Sequence, residues 1–315
     1  MPKTPDLSVI IVSYNTRDLT LRCLETLFDN TNDTRLQVIV LDNASNDGSA
    51  EAVSRAFPDV QVIASDENHG FAKGNNLAAK HAQADWLLLL NPDTETHPGA
   101  IDALLAFSRS HPEAGITGGR TVFPDGRLNI ASCWGRITPW SAFCMAFGLT
   151  AVFRQTTLFN PEGMGNWRRD SPRHVDIVSG CFLMMPRALW QKLDGFDLKY
   201  WMYGEEADLC ARAREAGYRP MITPDAQIMH LVGASSAQIA DKAIMVARAR
   251  TTLIRDHWPA WMVPIGVTLM WLWGANRLIG ARLMQIAGVP KGQMHFDKWQ
   301  SIWASRRIWL TGYRS

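Results

Sequence analysis

The run Trp86-Leu87-Leu88-Leu89-Leu90, followed by Asn91-Pro92-Asp93-Thr94-Glu95, decides the fold. Five apolar residues without a polar interruption predict a strand covered on both faces, because a strand with one wet face alternates apolar and polar side chains. Outward from it, similar short runs recur at Leu7-Ser8-Val9-Ile10-Ile11-Val12, Leu36 to Leu41 and Val60 to Ala64. Helical patterns lie between them. Leu19, Cys23, Leu24, Leu27 and Phe28 share one face; Glu51 to Phe57 is stopped by Pro58; Gly74 to Gln83 and Ile101 to Ser110 complete the series. Strands alternating with crossover helices predict an α/β, Rossmann-like architecture: a mostly parallel central sheet with flanking helices. In such sheets ligands sit beyond the carboxyl ends of the strands.

Those ends are polar. They read Ser13-Tyr14-Asn15, then Asp42-Asn43-Ala44-Ser45-Asn46-Asp47-Gly48-Ser49, then Glu67-Asn68-His69-Gly70-Phe71-Ala72-Lys73-Gly74-Asn75-Asn76, then Asn91-Pro92-Asp93. Turns alone use Asn, Asp and Gly, but four such ends on one sheet edge, one with an acid after an apolar strand, point to a ligand. A carboxylate at the place of Asp93 can hold a divalent cation that bridges a substrate diphosphate. Gly70 and Gly74 allow close backbone approach, and Lys73 adds positive charge.

The second half is less regular. His174 to Met185 reads as strand, and Ala207 to Ala216 as a helix ended by Gly217. Short strands are expected around Met221 and Ile228. Tyr200-Trp201-Met202-Tyr203-Gly204 precedes Glu205-Glu206-Ala207-Asp208. Acids at a helix start either answer the helix dipole or supply a general base kept ionised by it; the local sequence leaves both open. Asp208 has a partner in Arg212, four residues on. The aromatics either stack on a sugar ring or simply pack.

The formal net charge of +2 hides a split: residues 242–315 carry +9 and the rest −7. A hydrophobic content of 47% excludes global disorder. Five scattered cysteines without C-x-x-C spacing exclude a disulfide framework or a cysteine zinc site, and fit a reducing cytosol. The N-terminus is not expected to be a secretory signal. The tail begins near Ala237 with a basic helix to Arg255. Twenty uncharged residues then separate Asp256 from Arg277, about the minimum to span a bilayer, although Pro259, Pro264, Gly266 and Gly274 interrupt them. Phe296, Trp299, Ile302, Trp303 and Leu310 are expected on one helical face, with Arg306 inside it. Seven of the 13 Trp lie in this tail, and Trp beside Lys and Arg predicts interfacial membrane contact rather than a nucleic-acid arm. The alternative is a helical subdomain that packs its Trp inward. The uncharged Ile137–Phe153 stretch reads as a second membrane contact, an acceptor lid or a buried helix.

Taken in order, the chain resembles the family-2 glycosyltransferases of the GT-A fold, particularly the bacterial rhamnosyltransferase-like branch. The matching stretches are Ser8 to Asn15, Leu41 to Ser45 with Asp47-Gly48-Ser49, Asn68 to Asn76, Leu90 to Asp93, Val178-Ser179-Gly180, Gly195-Phe196-Asp197, Tyr203 to Arg212 and His230 to Ser235. The resemblance implies a catalytic domain at 1–236 and a basic, Trp-rich helical tail at 237–315. It implies an inverting transfer of a sugar from a nucleotide-diphosphate donor, best dTDP-rhamnose with UDP-hexoses open, to a polyprenyl-diphosphate-linked glycan acceptor. Such transfer would serve cell wall, O-antigen or capsule synthesis on the cytoplasmic face of the bacterial inner membrane, where the tail would meet an anionic membrane surface. Donor contacts would come from Ser13, Tyr14, Asn15, Asp42, Asn43, Asn68, Gly70, Phe71, Lys73, Asn76 and Asn91. Asp93 and His230 would hold Mg²⁺ or Mn²⁺. Asn91 occupies the first position of the family's Asp-x-Asp-type motif, which leaves fewer anionic ligands. Glu206 would be the catalytic base, with Glu205 its rival; Gly180, Trp201 and Tyr203 would face the acceptor. A nucleotidyltransferase would instead carry a Gly-rich basic loop after the first strand, where this chain has Ser13-Tyr14-Asn15-Thr16-Arg17. A silent glycan-binding protein would not need Asp93 and Glu206.

Overall fold

The structure, a computed structural model, describes residues 4–231 and 239–313. The expected boundary at 236/237 and the last matching residues, 232–235, lie outside the described residues. In chain order the first elements are β1 (Leu7–Ser13), α1 (Arg17–Asp29), β2 (Leu36–Asp42), α2 (Ser49–Ala56), β3 (Gln61–Ala64), α3 (Gly70–Ala79), β4 (Trp86–Leu90), β5 (Thr94–Thr96) and α4 (Ala100–Ser110). Then come β6 (Thr117–Val122), β7 (Leu128–Asn129), β8 (Cys133–Trp134), α5 (Pro139–Ala146), α6 (Leu149–Val152), β9 (Arg173–His174), β10 (Ile177–Val178), β11 (Phe182–Pro186) and α7 (Arg187–Lys192). The remainder is α8 (Glu205–Glu215), β12 (Met221–His230), α9 (Ile239–His257), α10 (Val263–Ile286), α11 (Gly292–Ala304) and α12 (Arg306–Thr311).

These elements form two compact units. The first comprises the described residues up to Trp134, Arg168–Trp201, and Glu205 onward to Leu231. Its sheet has the order β3-β2-β1-β4-β11-β6-β12-β5. The segment β3-β2-β1-β4 is parallel, as alternating strands and helices predict. The rest is mixed: β11 runs antiparallel to both β4 and β6, whereas β6 and β12 are parallel. The expected continuous strand from His174 to Met185 is three short pieces, because Gly180 and the polar residues before it turn the chain between sheets. The β4 leucines are buried between β1 and β11, which explains their uninterrupted apolar run. Val9, Ile11, Val38, Val40, Leu88 and Leu90 form the core together with Cys23, Leu24 and Leu27 of α1.

The second unit holds Gly135–Trp167, Met202–Gly204 and the described residues from Ile239 on. Residues 135–167 therefore pack with the C-terminal helices. Trp309 is fully buried against Ala247, Ile254 and Met270, with Trp273 and Trp303 alongside. Ala142 and Ala146 of α5 pack on Leu269. Gly266 and Gly274 do not interrupt α10. A Cβ at Gly266 would lie 2.5 Å from Ile254, and one at Gly274 would lie 3.0 Å from the Trp309 ring, so both residues let neighbours approach the helix. Pro264 sits in the first turn of α10, where its missing N–H is harmless. The uncharged stretch is instead divided at Pro259 into the end of α9, a single 3₁₀ turn and the start of α10. Among the described residues no helix is long and apolar enough to cross a membrane. The expected single face from Phe296 to Leu310 is also divided, because α11 ends before Ser305 and α12 starts at Arg306. Arg306 then stacks 5.1 Å from the Trp303 ring.

Candidate active site

Within the first unit, hydrogen bonds join the strand ends of the sheet edge. The Asn43 N–H donates to the Ser13 carbonyl at 2.8 Å. Asn15 N–H donates to Ser45 Oγ at 2.9 Å, and Asn46 N–H donates to Asn15 Oδ1 at 2.8 Å. Asn15 and Ala44 both adopt positive φ, 51° and 63°. An L-residue such as Ala pays roughly 1 kcal/mol for this geometry. Such strain is concentrated where a loop must hold one shape. Asp42 accepts the Ser45 N–H at 2.9 Å through Oδ1. Its Oδ2 is buried and has no hydrogen-bond partner among the described residues.

Asn43 ties the second strand end to the third. Its Nδ2 donates to Asn68 Oδ1 at 2.9 Å and to the Gly70 carbonyl at 3.2 Å, while its Oδ1 accepts the His69 N–H at 2.7 Å. Gly70 has φ +71°, and a Cβ there would lie 3.1 Å from the Trp201 carbonyl oxygen and 3.4 Å from its indole. Gly180 is the counterpart at the end of β10. A Cβ there would lie 3.3 Å from Phe71 and 3.8 Å from Glu206 Cβ. Gly70, Phe71, Gly180, Trp201 and Glu206, far apart in sequence, thus converge.

Other candidates lie elsewhere. Ser13 is fully buried, its hydroxyl bonded to Thr16 and Thr20 at 2.9 and 3.0 Å. Asn76 donates to the Phe196 carbonyl at 2.8 Å and accepts its N–H at 2.9 Å, so its amide holds a loop. Lys73 pairs with Glu67 at 3.3 Å, and Tyr14 is exposed. Tyr203 belongs to the second unit, where Lys242 Nζ lies 5.7 Å from its ring centroid.

The chain turn after β4 places Asp93 Oδ1 3.3 Å from His230 Nε2, since β5 pairs with the end of β12. Burial opposes a charged imidazole, yet the Cys181 sulfur and the Asp93 carboxylate outweigh it and lift His230 to about 10. His230 Nδ1 and Asn91 Oδ1 are both buried without a hydrogen-bond partner among the described residues. Buried polar atoms left open in this way mark a place for an ion or ligand. Carboxylate and carboxamide oxygens, and an imidazole whose proton the incoming cation displaces, are suitable donors for a divalent cation. Among the described residues no group of three or more His, Cys, Asp and Glu side chains is arranged to hold a metal. A cation at Asp93 and His230 would therefore take its other ligands from substrate and water.

Glu205 and Glu206 open α8. Glu205 is buried, and burial followed by the Glu206 charge raises its carboxyl well above the ordinary value. Its Oε2 has no partner among the described residues. Glu206 is half-buried. Asp208 pairs with Arg212 at 2.8 Å, as the spacing predicts. Arg212 does more than the sequence suggests: it also donates to the carbonyls of Leu193 and Gly195, clamping the segment that leads to Trp201. Cys181 was likewise not singled out, although it directly follows Gly180; its carbonyl accepts the Asn91 N–H at 3.1 Å.

Residues 8–191 match glycosyl transferase family 2, more than half of the chain. The chain belongs to this family. Residues 168–233 also match the description "N-terminal domain of galactosyltransferase". This family-2 glycosyltransferase is 28% identical over 255 residues to the N-acetylglucosaminyl-diphospho-decaprenol L-rhamnosyltransferase of Mycobacterium tuberculosis, covering 72% of this chain and 76% of that one. It is 26% identical over 243 residues to the rhamnosyltransferase WbbL of Escherichia coli, covering 75% and 87%. Among solved structures it is similar to the mannosyltransferase PcManGT of Pyrobaculum calidifontis, in complex with GDP-Man and Mn²⁺. There the TM-score is 0.59 at 18% identity, over 98% of this chain and 87% of the other, which places the fold in the GT-A group.

Proposed function

We propose that this glycosyltransferase moves rhamnose from dTDP-rhamnose to a polyprenyl-diphosphate-linked glycan, with inversion at the anomeric carbon, on the cytoplasmic face of a bacterial inner membrane. Similarity to two rhamnosyltransferases, one named for a decaprenyl-diphosphate acceptor, supports the donor and the acceptor class. The observation that carries the chemistry is the placement of a half-buried Glu206 against Gly180 and Phe71. The missing side chain at Gly180 leaves room near Glu206 for an acceptor hydroxyl to approach. Glu206 is the general base: it takes the hydroxyl proton as the oxygen attacks the anomeric carbon and the bond to the nucleoside diphosphate breaks. Glu205 is the poorer candidate, because burial and the Glu206 charge raise its carboxyl and disfavour its ionised form. Asp42, with its free buried oxygen, is suited to accept a hydrogen bond from the nucleotide. Asp93 and His230 would hold Mg²⁺ or Mn²⁺, and the ion would supply positive charge to offset that on the departing diphosphate.

The test is a donor panel of dTDP-rhamnose and UDP-hexoses with a polyprenyl-diphosphate-linked GlcNAc acceptor, run for wild type and Glu206→Gln. The expected result is transfer from dTDP-rhamnose with inverted configuration, lost in the variant while donor binding persists. Unchanged turnover in Glu206→Gln removes the base assignment, and preference for a UDP-hexose removes the donor.

A further inference from the structure

Residues 135–167 carry a surface that the transfer chemistry does not use. Positions 140 and 143 of α5 and 147, the residue that caps its C-terminal end, recur at helical spacing and share one side. Ala142 and Ala146 occupy the other face and are buried. The outer rings are continuous. Phe147 lies 4.7 Å from Phe143, Phe143 5.6 Å from Trp140, Trp140 6.0 Å from Phe159, and Phe159 4.9 Å from Phe153. Of these, Trp140, Phe143, Phe147 and Phe153 are 43, 39, 50 and 44% exposed. Soluble monomers rarely expose a contiguous apolar patch unless something covers it.

The charge around the patch has one sign. Within the second unit, from Gly135 to Pro161, the sequence contains Arg136 and Arg154 and no acid. The next acid, Glu162, is engaged by Arg250 at 2.6 and 2.8 Å. Trp140 Nε1–H already donates to the Leu158 carbonyl at 2.6 Å, so the ring can leave water with its polar atom paired. Of the C-terminal tryptophans, Trp309 is buried and Trp273 packs edge-on against Trp299 and Trp309, whereas Trp261 and Trp271 are exposed but belong, among the described residues, to no comparable run of stacked rings with Phe.

We propose that the aromatic face of α5 and the turn after it is the bilayer-contacting element of this protein, seated at the headgroup boundary of an anionic membrane. The rings occupy the interface and the arginines meet lipid phosphates. The proposal rests on the lipid-linked acceptor of the reading above only for its biological purpose.

The test is co-sedimentation of the full chain with phosphatidylglycerol-containing and pure phosphatidylcholine vesicles, without donor or acceptor. The expected result is preferential binding to anionic vesicles, weakened about tenfold or more in Phe143→Ser/Phe147→Ser and severalfold in Arg154→Glu. Circular dichroism should show both variants folded, since all three side chains are exposed. Ile279→Ser/Leu283→Ser, at exposed apolar sites of α10, should bind as wild type. Three results overturn the proposal: full binding by both patch variants, loss of binding in the α10 variant alone, or a wild-type dimer in sedimentation velocity that the Phe variant abolishes. Transfer to a short, water-soluble acceptor should survive the Phe changes. Absence of transfer in wild type with vesicle binding intact counts against the proposed reaction and leaves the membrane face standing.

Discussion

Burial of Glu205 in the first turn of α8 sets one carboxyl apart from its neighbour and gives the two different expected phenotypes. Glu206→Gln should lower kcat by about 10²–10⁴-fold, the usual scale of a general base, with donor affinity retained. Glu205→Gln should keep most turnover, because burial and the Glu206 charge disfavour the ionised form that a base would need. The stability consequence has a definite sign. A raised carboxyl contributes stability that is present below the ordinary value of 4.5 and is lost as pH rises through the folded-state value. Urea denaturation should therefore show Glu205→Gln gaining on wild type as pH rises above 4.5; a constant difference would contradict a raised carboxyl. At this scale the sequence was partly legible. Asp93 stands out because an acid follows five buried apolar residues. Ser13 and Asn76 look like donor contacts in sequence, yet their partners, Thr16, Thr20 and the backbone of Phe196, appear only once the chain has folded.

The strand entries and crossings of the sheet carry the next two expectations. Asp6 clasps Arg35 at 2.7 and 2.8 Å, pinning β1 to β2 just ahead of their first paired residues. The Arg35 hydrogen bond, against a smaller burial effect, pulls Asp6 down to about 2. Its contribution is present above the ordinary value of 3.8 and fades as pH falls toward about 2. Asp6→Asn should cost about 1 kcal/mol at pH 6, a value limited by solvent screening, and the gap to wild type should narrow steadily as pH falls from 3.8 toward about 2. Where β6 pairs with β12, a Cβ on Gly119 would overlap the Ala226 carbonyl oxygen, at the point where β12 shifts register. Gly119→Ala should cost about 3 kcal/mol or more, because backbone rather than a flexible side chain must move; thermal unfolding checks it. The parallel β3-β2-β1-β4 segment was legible from alternation alone. The antiparallel β11 was not, because burial on both faces gives the same apolar run in either direction. In α10 the signal misled for a different reason. Gly266 and Gly274 look like breaks, whereas their missing side chains admit Ile254 and Trp309.

For the molecule as a whole, the division of charge between a −7 body and a +9 tail does not coincide with the division of packing. The second unit recruits residues 135–167 from the middle of the chain. Sequence reading cannot see that partnership, since α5 and α10 are far apart along the chain and α5 is apolar on both sides, so its pattern does not say which side is covered. Trp309→Ala should destabilise this unit by about 3–5 kcal/mol, seen as an early loss of helical signal in urea. Phe143→Ser, on the exposed side of the same unit, should change stability by less than about 0.5 kcal/mol. Equal effects would mean that the two aromatic groups are not divided into inside and outside.

The pairing of α5 with α10 has a consequence in time. Ribosomes add about 5–20 residues per second. The roughly 120 residues that separate Ala146 from the Leu269–Trp273 segment then take on the order of ten seconds to emerge. Throughout that interval the nascent α5 has neither of its two greasy sides covered. The tempo of translation across this stretch, and whichever chaperone or lipid lies near the exit tunnel, decides whether the helix first meets its own partner or a stranger.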